Sequence, residues 1–221
     1  MTNNTHSSKE RMWYEIIKEI KECTRCDLHK YRKKAVPGEG SLNSRVLFLG
    51  EAPGRKEDEE GRPFVGAAGK LLDALLRNIG LSREKVFITN VVKCRPPNNR
   101  DPREDEICAC SVFTNRILSL IDPDIIVTLG NHAGKYVFTI LGSRSWYGVS
   151  RHRGRVYELT LNVLVKKVRV IPTYHPAAAL YNPILRRELE NDFMLIQKVI
   201  HSVSEKREGR TLLDFFGRGG E

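Results

Sequence analysis

A single α/β domain in three layers, with helices on both faces of a four-stranded, mainly parallel central sheet, is the fold this sequence predicts. Three observations carry it. Four compact apolar runs, Val46–Leu49, Val86–Val92, Ile125–Leu129 and Val168–Ile171, are rich in β-branched residues, mostly continuous rather than alternating, and bounded by turn chemistry. Helix-like stretches separate the runs, as crossover connections between parallel strands require. The chain of 221 residues is long enough for one large domain with a real core, and no run approaches the ~20 apolar residues of a membrane span.

In chain order, residues 1–10 are polar. The string WYEIIKEIKE sets Ile16, Ile17 and Ile20 on one face, predicting an amphipathic helix over Trp13–Glu22 that runs into Cys23. Helices are expected at Gly69–Ile79, Glu104–Ile121, Ala133–Leu141 and Pro183–Ser204, and residues 144–167 read as a hairpin insertion. The domain spans residues 11–204 and a tail spans 205–221.

Lys and Arg number 37 against 27 Asp and Glu, a formal charge of +10 that suggests a polyanionic partner. The polar N-terminus, MTNNTHSSKER, is not an export signal, so a cytoplasmic or nucleoid-associated chain is expected. Basic residues concentrate in Arg95–Arg103 and Arg151–Arg155, both read as loops suited to phosphate contacts. The residues expected to make them are Arg95, Arg100, Arg151 and Arg153.

Chemistry gathers just beyond the strands. The first run is followed by Gly50-Glu51-Ala52-Pro53-Gly54, and the second carries Asn90. The third ends in Gly130-Asn131-His132, and the fourth leads to Tyr174-His175-Pro176. Ligands of open α/β sheets bind outside the carboxyl ends of the strands. One pocket is therefore expected there, with a carboxylate, a carboxamide and an imidazole but no evident nucleophile.

Five cysteines form the pairs Cys23–Cys26 and Cys94–Cys110, with Cys108 left over. Four thiolates without a histidine partner suit either a [4Fe–4S] cluster or an all-cysteine zinc site. On a helix, Cys110 shares the mostly apolar stripe of Phe113, Thr114, Ile117 and Ile121, whereas Cys108 shares the polar stripe of Ser111, Asn115 and Ser119. Cys110 is therefore the expected ligand and Cys108 a free thiol.

The string Gly50-Glu-Ala-Pro-Gly-Arg-Lys-Glu57-Asp58 fails as a phosphate loop, because Lys70 is followed by Leu71 and the glycine spacing is wrong. It closely resembles the first motif of the family 4 uracil-DNA glycosylases. The resemblance continues through Gly61-Arg-Pro-Phe64-Val-Gly66, Thr89-Asn90-Val-Val-Lys-Cys94-Arg-Pro-Pro and His175-Pro-Ala-Ala178, over roughly residues 23–200. It implies a [4Fe–4S] cluster on Cys23, Cys26, Cys94 and Cys110. It also implies an enzyme that flips uracil out of single- or double-stranded DNA and hydrolyses its N-glycosidic bond, leaving an abasic site, as a monomer.

That chemistry suits the same residues. Phe64 can stack on the extruded ring. Asn90 can accept from N3–H and donate to O4, a pattern cytosine does not offer. His175 can donate to O2 as negative charge develops there, and Glu51 can position water or balance a cationic sugar. By resemblance, the first motif, Ala52 included, supplies contacts to the base, and Glu57 is the candidate wall against the thymine methyl. Other uracil-DNA glycosylases carry an aspartate where this chain has Ala52, so no strong general base is evident at that position. After His175, Leu180 or Tyr181 stands where related enzymes insert a wedge into the gap left by the base. In the tail, Leu212, Phe215 and Phe216 have the spacing of a sliding-clamp-binding peptide; a helix folded back on the core is the alternative. Competing readings of the whole are a non-catalytic iron–sulfur nucleic-acid-binding or redox protein and a broader family 5 type glycosylase.

Overall fold

The computed structural model describes residues 7–216, with side chains through Val203. Its first helix, α1 (Ser8–Glu22), starts earlier than the apolar period suggested. Ser7 and Glu10 close a reciprocal capping box, which satisfies two of the free N–H groups at the helix start. There follow β1 (Glu39–Gly40), β2 (Val46–Gly50), α2 (Arg55–Glu60), α3 (Ala67–Asn78), β3 (Phe87–Asn90), α4 (Glu104–Ile121) and β4 (Ile125–Leu129). The chain continues through α5 (Asn131–Lys135), α6 (Val149–His152), β5 (Tyr157–Thr160), β6 (Lys167–Thr173) and α7 (Pro183–Phe216).

The sheet has six strands, not four, in the order β1-β3-β2-β4-β6-β5. Its inner strands β3, β2, β4 and β6 are mutually parallel, and they coincide with the four apolar runs. The edges β1 and β5 pair antiparallel with β3 and β6. Neither edge strand has the apolar continuity of a buried strand: β1 is two residues long, and β5 alternates only Leu159 inward. The expected hairpin insertion over 144–167 is therefore replaced by a loop, the one-turn α6, and β5, whose hairpin partner is β6 itself. Helix α2 was also missed, since RKEDEE has no apolar stripe. Past α5 the backbone widens into a π-type turn over Tyr136–Leu141.

Alternation along the strands divides the core between two faces. Leu47, Leu49, Phe87 and Ile126 pack with Ile16 and Ile20 of α1 and Phe113 and Ile117 of α4. Val46, Phe48, Ile88 and Val127 pack on the other side with Leu72 and Leu75 of α3 and Phe193 and Ile196 of α7. With helices burying both faces, the inner strands have no polar side, which is why their sequences run apolar throughout. No helix among the described residues is long and apolar enough to cross a membrane. Leu212, Phe215 and Phe216 lie outside the residues whose side chains are described.

Candidate active site

The carboxyl ends of β2, β3 and β6 meet at one cavity of about 320 Å³, which Glu51, Ala52, Glu57, Phe64, Asn90, Arg100 and His175 help to line, while His132 after β4 lines a neighbouring groove. Ala52 is a half-buried methyl in its wall.

Phe64 is fixed from three sides. Its backbone is left-handed, with φ of 52°. Its carbonyl lies against Gly69, where any Cβ would overlap it, and accepts from Arg83 Nη1 at 3.1 Å. A Cβ on Gly50 would come within 2.6 Å of Phe64 Cζ and would also overlap Asn90 Oδ1. Glycine at 50 thus lets the ring and the carboxamide meet beside the strand end. The Phe64 and His175 rings lie 5.5 Å apart and 30° from parallel, stacked on each other in the cavity wall.

Asn90 is 1% exposed, and its Oδ1 has no hydrogen-bond partner. An unpaired buried acceptor costs about 1–3 kcal/mol, which a donor from a ligand would return. The end of β3 is held by Lys93, a fully buried lysine the sequence reading did not single out. Its Nζ donates to the Asn90 carbonyl and to the hydroxyls of Thr89 and Thr114 at 3.1 and 3.0 Å. Burial pulls its pKa down to about 8.

His175 accepts the Ala177 N–H on Nδ1 at 3.1 Å, so its neutral ring carries the proton on Nε2. Burial holds its pKa down at about 4, which keeps it neutral near pH 7. It is a hydrogen-bond donor without charge.

The two carboxylates in the wall differ. Glu57 Oε1 accepts the N–H groups of Val65 and Gly66, both at 2.9 Å, tying α2 to the start of α3 and so holding the Phe64 loop. Glu51 has no such bonds; its oxygen lies 3.9 Å from His132 Nε2, which is 3.2 Å from Asp101. Burial raises the Glu51 pKa, His132 opposes the rise and Asp101 adds to it.

The basic loops divide. Arg151 is exposed. Arg95 donates to Asn99 within its own loop, and Arg100 forks onto the fully buried Glu106 at 2.9 and 2.6 Å while still lining the cavity. Arg153 departs from the expected phosphate contact. Its guanidinium turns inward to Asp192 at 2.7 and 3.0 Å and lies 5.3 Å from the Tyr174 ring. A buried carboxylate needs a partner more than a surface needs another cation, so this arginine braces the residue before His175. Beyond His175, Leu180 packs against the core while Tyr181 is 94% exposed and Ile184 is 73% exposed. Of the two wedge candidates, only Tyr181 is free to reach outward.

Cys23, Cys26, Cys94 and Cys110 line a second, small cavity between the end of α1, the loop after β3, and α4. Cys108 is exposed on the outer face of α4, and Cys110 is buried. N–H groups reach the sulfurs: Arg32 Nη1 to Cys94 at 3.1 Å, the Lys93 amide to Cys110 at 3.3 Å and the Arg25 amide to Cys23 at 3.5 Å. Burial pushes the Cys110 thiol to about 12 and raises Cys26 and Cys94. Among the described residues no three of these sulfurs lie within 4.8 Å of one another.

Comparison with known proteins agrees with this geometry. The sequence profile of the uracil DNA glycosylase superfamily matches residues 37–195. The chain is 53% identical over 188 residues to the type-4 uracil-DNA glycosylase of Saccharolobus solfataricus, covering 85% of this chain and 86% of the relative. It is 50% identical over 182 residues to the type-4 enzyme of Archaeoglobus fulgidus, covering 82% and 90%. It is 31% identical over 199 residues to a type-5 uracil-DNA glycosylase of Pyrobaculum aerophilum, covering 76% and 84%.

Proposed function

The chain belongs to the uracil DNA glycosylase superfamily, within its type-4 group, and from that premise we infer that it excises uracil from DNA in repair. The observation that carries the assignment of roles is the unpartnered Oδ1 of Asn90, buried beside the Phe64 ring at the end of β3.

The pocket's chemistry then has an order. A flipped uracil lies in the cavity that Phe64, Asn90 and His175 line. Asn90 accepts N3–H and donates to O4; cytosine, with an acceptor at N3 and a donor at C4, leaves both groups mismatched at a cost of several kcal/mol. The C1′–N1 bond breaks with its electron pair going to the base. The Nε2–H of neutral His175 donates to O2, where that charge collects, an effect worth about 3 kcal/mol for one well-placed donor. A water oxygen bonds to C1′ and its proton passes to the departing uracil anion, giving free uracil and an abasic site. Glu51 stands opposite the cationic sugar and orients that water. Among the described residues no lysine lines the cavity to form a Schiff base, which fits hydrolysis alone. Glu57 walls the C5 side while its carboxylate is held by Val65 and Gly66.

Cys23, Cys26, Cys94 and Cys110 would hold a [4Fe–4S] cluster; their shared cavity and the N–H groups reaching three of the sulfurs suit it, and the resemblance to the type-4 enzymes favours it over zinc. Bound there, it would brace α1, α4 and the Arg95–Arg103 loop in a structural role. Arg95, Arg100 and Arg151 contact phosphates, Tyr181 enters the gap left by the base, and Leu212, Phe215 and Phe216 dock on a sliding clamp.

Incubation with uracil-containing, hypoxanthine-containing and normal oligonucleotides, followed by alkali, tests the activity. Uracil-dependent cleavage is expected, and its absence would overturn the reading; equal cleavage at hypoxanthine would favour the type-5 specificity. Iron and sulfide analysis with a visible spectrum tests the cluster, and a colourless zinc-containing protein would refute it. Capture on a clamp should be lost on combining Phe215→Ala with Phe216→Ala; equal capture removes the tail's role.

A further inference from the structure

One group near the uracil pocket has no part in the reaction as described. His132 is the second residue of α5, just beyond β4, and two other pieces of chain bring charge to it. Its Nε2 lies 3.2 Å from Asp101 on the loop before α4 and 3.9 Å from Glu51 at the tip of β2. The ring is a quarter exposed and lines a groove of about 530 Å³, whereas Glu51 lines the uracil cavity.

We propose that His132 is a positioning residue for Glu51, holding its carboxylate at the uracil pocket with Asp101 anchoring the ring from behind. This rests on the reading of the pocket given above. Of the two pocket carboxylates, Glu57 is already held by Val65 and Gly66 N–H groups, so its orientation needs no further partner. Glu51 has none of these bonds, and His132 is the cation-forming group that faces it. The Nε2 contact to Asp101 is 3.2 Å, and the contact to Glu51 is under 1 Å longer. Such a gap is typical of an empty site whose bonds tighten only around substrate.

The other charged groups nearby are engaged elsewhere. In the cavity, Arg100 is forked onto Glu106 and His175 accepts Ala177 N–H. Across the groove, Lys135 pairs with Glu104 and Arg103 with Asp105 and Glu106. Burial raises the Glu51 carboxyl, Asp101 raises it further, and His132 alone of the named neighbours lowers it. The two neighbours therefore act on Glu51 with opposite sign. Removing His132 should make Glu51 protonate at higher pH; removing Asp101 should make it protonate at lower pH and leave the ring free to turn to Glu51.

The test is the pH profile of single-turnover uracil release by the intact protein and by His132→Ala, His132→Gln and Asp101→Asn. For His132→Ala the rate at neutral pH should fall about tenfold with KM little changed, the scale of a misplaced catalytic group. Its acid limb should move to higher pH, and that of Asp101→Asn to lower pH. His132→Gln, which keeps a donor but cannot carry charge, should recover part of the rate and none of the limb. In a Glu51→Gln background the His132 substitution should add no further loss. Thermal melts identify the variants that fold, and the glutamine variant serves if the alanine one does not. Folded variants that keep the original acid limb, or limbs that move the same way for both positions, would overturn the proposal. If the unmodified protein releases no uracil, the glycosylase reading itself falls.

Discussion

Replacing Asn90 by leucine, which has nearly its shape, should separate stability from activity in opposite directions. The carboxamide is 1% exposed and its Oδ1 has no partner, so the folded protein without substrate carries an unpaid desolvation of about 1–3 kcal/mol. Leucine removes that acceptor and keeps the branching at Cγ, its two methyl groups standing where the carboxamide oxygen and nitrogen stand. The expected result is a variant at least as stable as the parent, with a gain of about 1 kcal/mol raising Tm by roughly 2–4 °C in a chain of this size. The Lys93 bonds at the end of β3 go to the backbone of residue 90 and to hydroxyls, so the strand end survives the change. Activity should move the other way. Two hydrogen bonds to the base are lost, and N3–H and O4 of uracil are buried against methyl groups. About 3–5 kcal/mol of transition-state stabilisation disappears, a fall of roughly 10² to 10⁴ in kcat/KM. Thermal melts and single-turnover release from a uracil-containing oligonucleotide measure the two quantities on one preparation. A variant that melts several degrees lower and loses activity only in proportion would show that Asn90 serves the fold and not the base.

Arg153→Ala leaves Asp192, itself 2% exposed, without its cation and should cost about 3–5 kcal/mol in urea unfolding; unchanged stability with weakened DNA binding would restore the surface role. Cys110→Ser should abolish the visible absorbance and the bound iron while Cys108→Ser keeps both, and the reverse pattern would refute the choice of ligand. Tyr181→Ala should slow excision from duplex DNA more than from single strands, because only the duplex leaves a gap to fill; equal slowing would count against the wedge. His175 titrates at about 4 when folded against 6.5 for a free histidine, so between these values the unfolded chain binds the extra proton. Stability should therefore fall as pH drops through that window, and His175→Asn should show a shallower slope; an unaltered slope would refute the buried, neutral ring.

What could be read from the sequence, and what could not, follows from how local each signal is. The four inner strands are buried on both faces, so their apolar character is continuous and visible in one dimension, and the residues just beyond them could be placed at one end of the sheet. Cys110 could be told from Cys108 because positions two apart on a helix lie about 200° apart, on opposite faces, and one of those faces must be apolar. The edge strands could not be found, because β1 and β5 owe their conformation to hydrogen bonds with β3 and β6 rather than to any pattern of their own. Arg153 and Arg151 are two residues apart in a run of basic residues, and nothing in that run says that Asp192, 39 positions away, will claim one of them. The same holds for His132. It follows a strand end just as Glu51 does, but its meaning comes from Asp101, which is 31 residues away in a loop whose charge otherwise looks like a place for phosphate. A catalytic group can be legible from its strand; the groups that orient it are visible only where separate strands bring them together, as the β2 tip, the loop before α4 and the start of α5 bring Glu51, Asp101 and His132 together here.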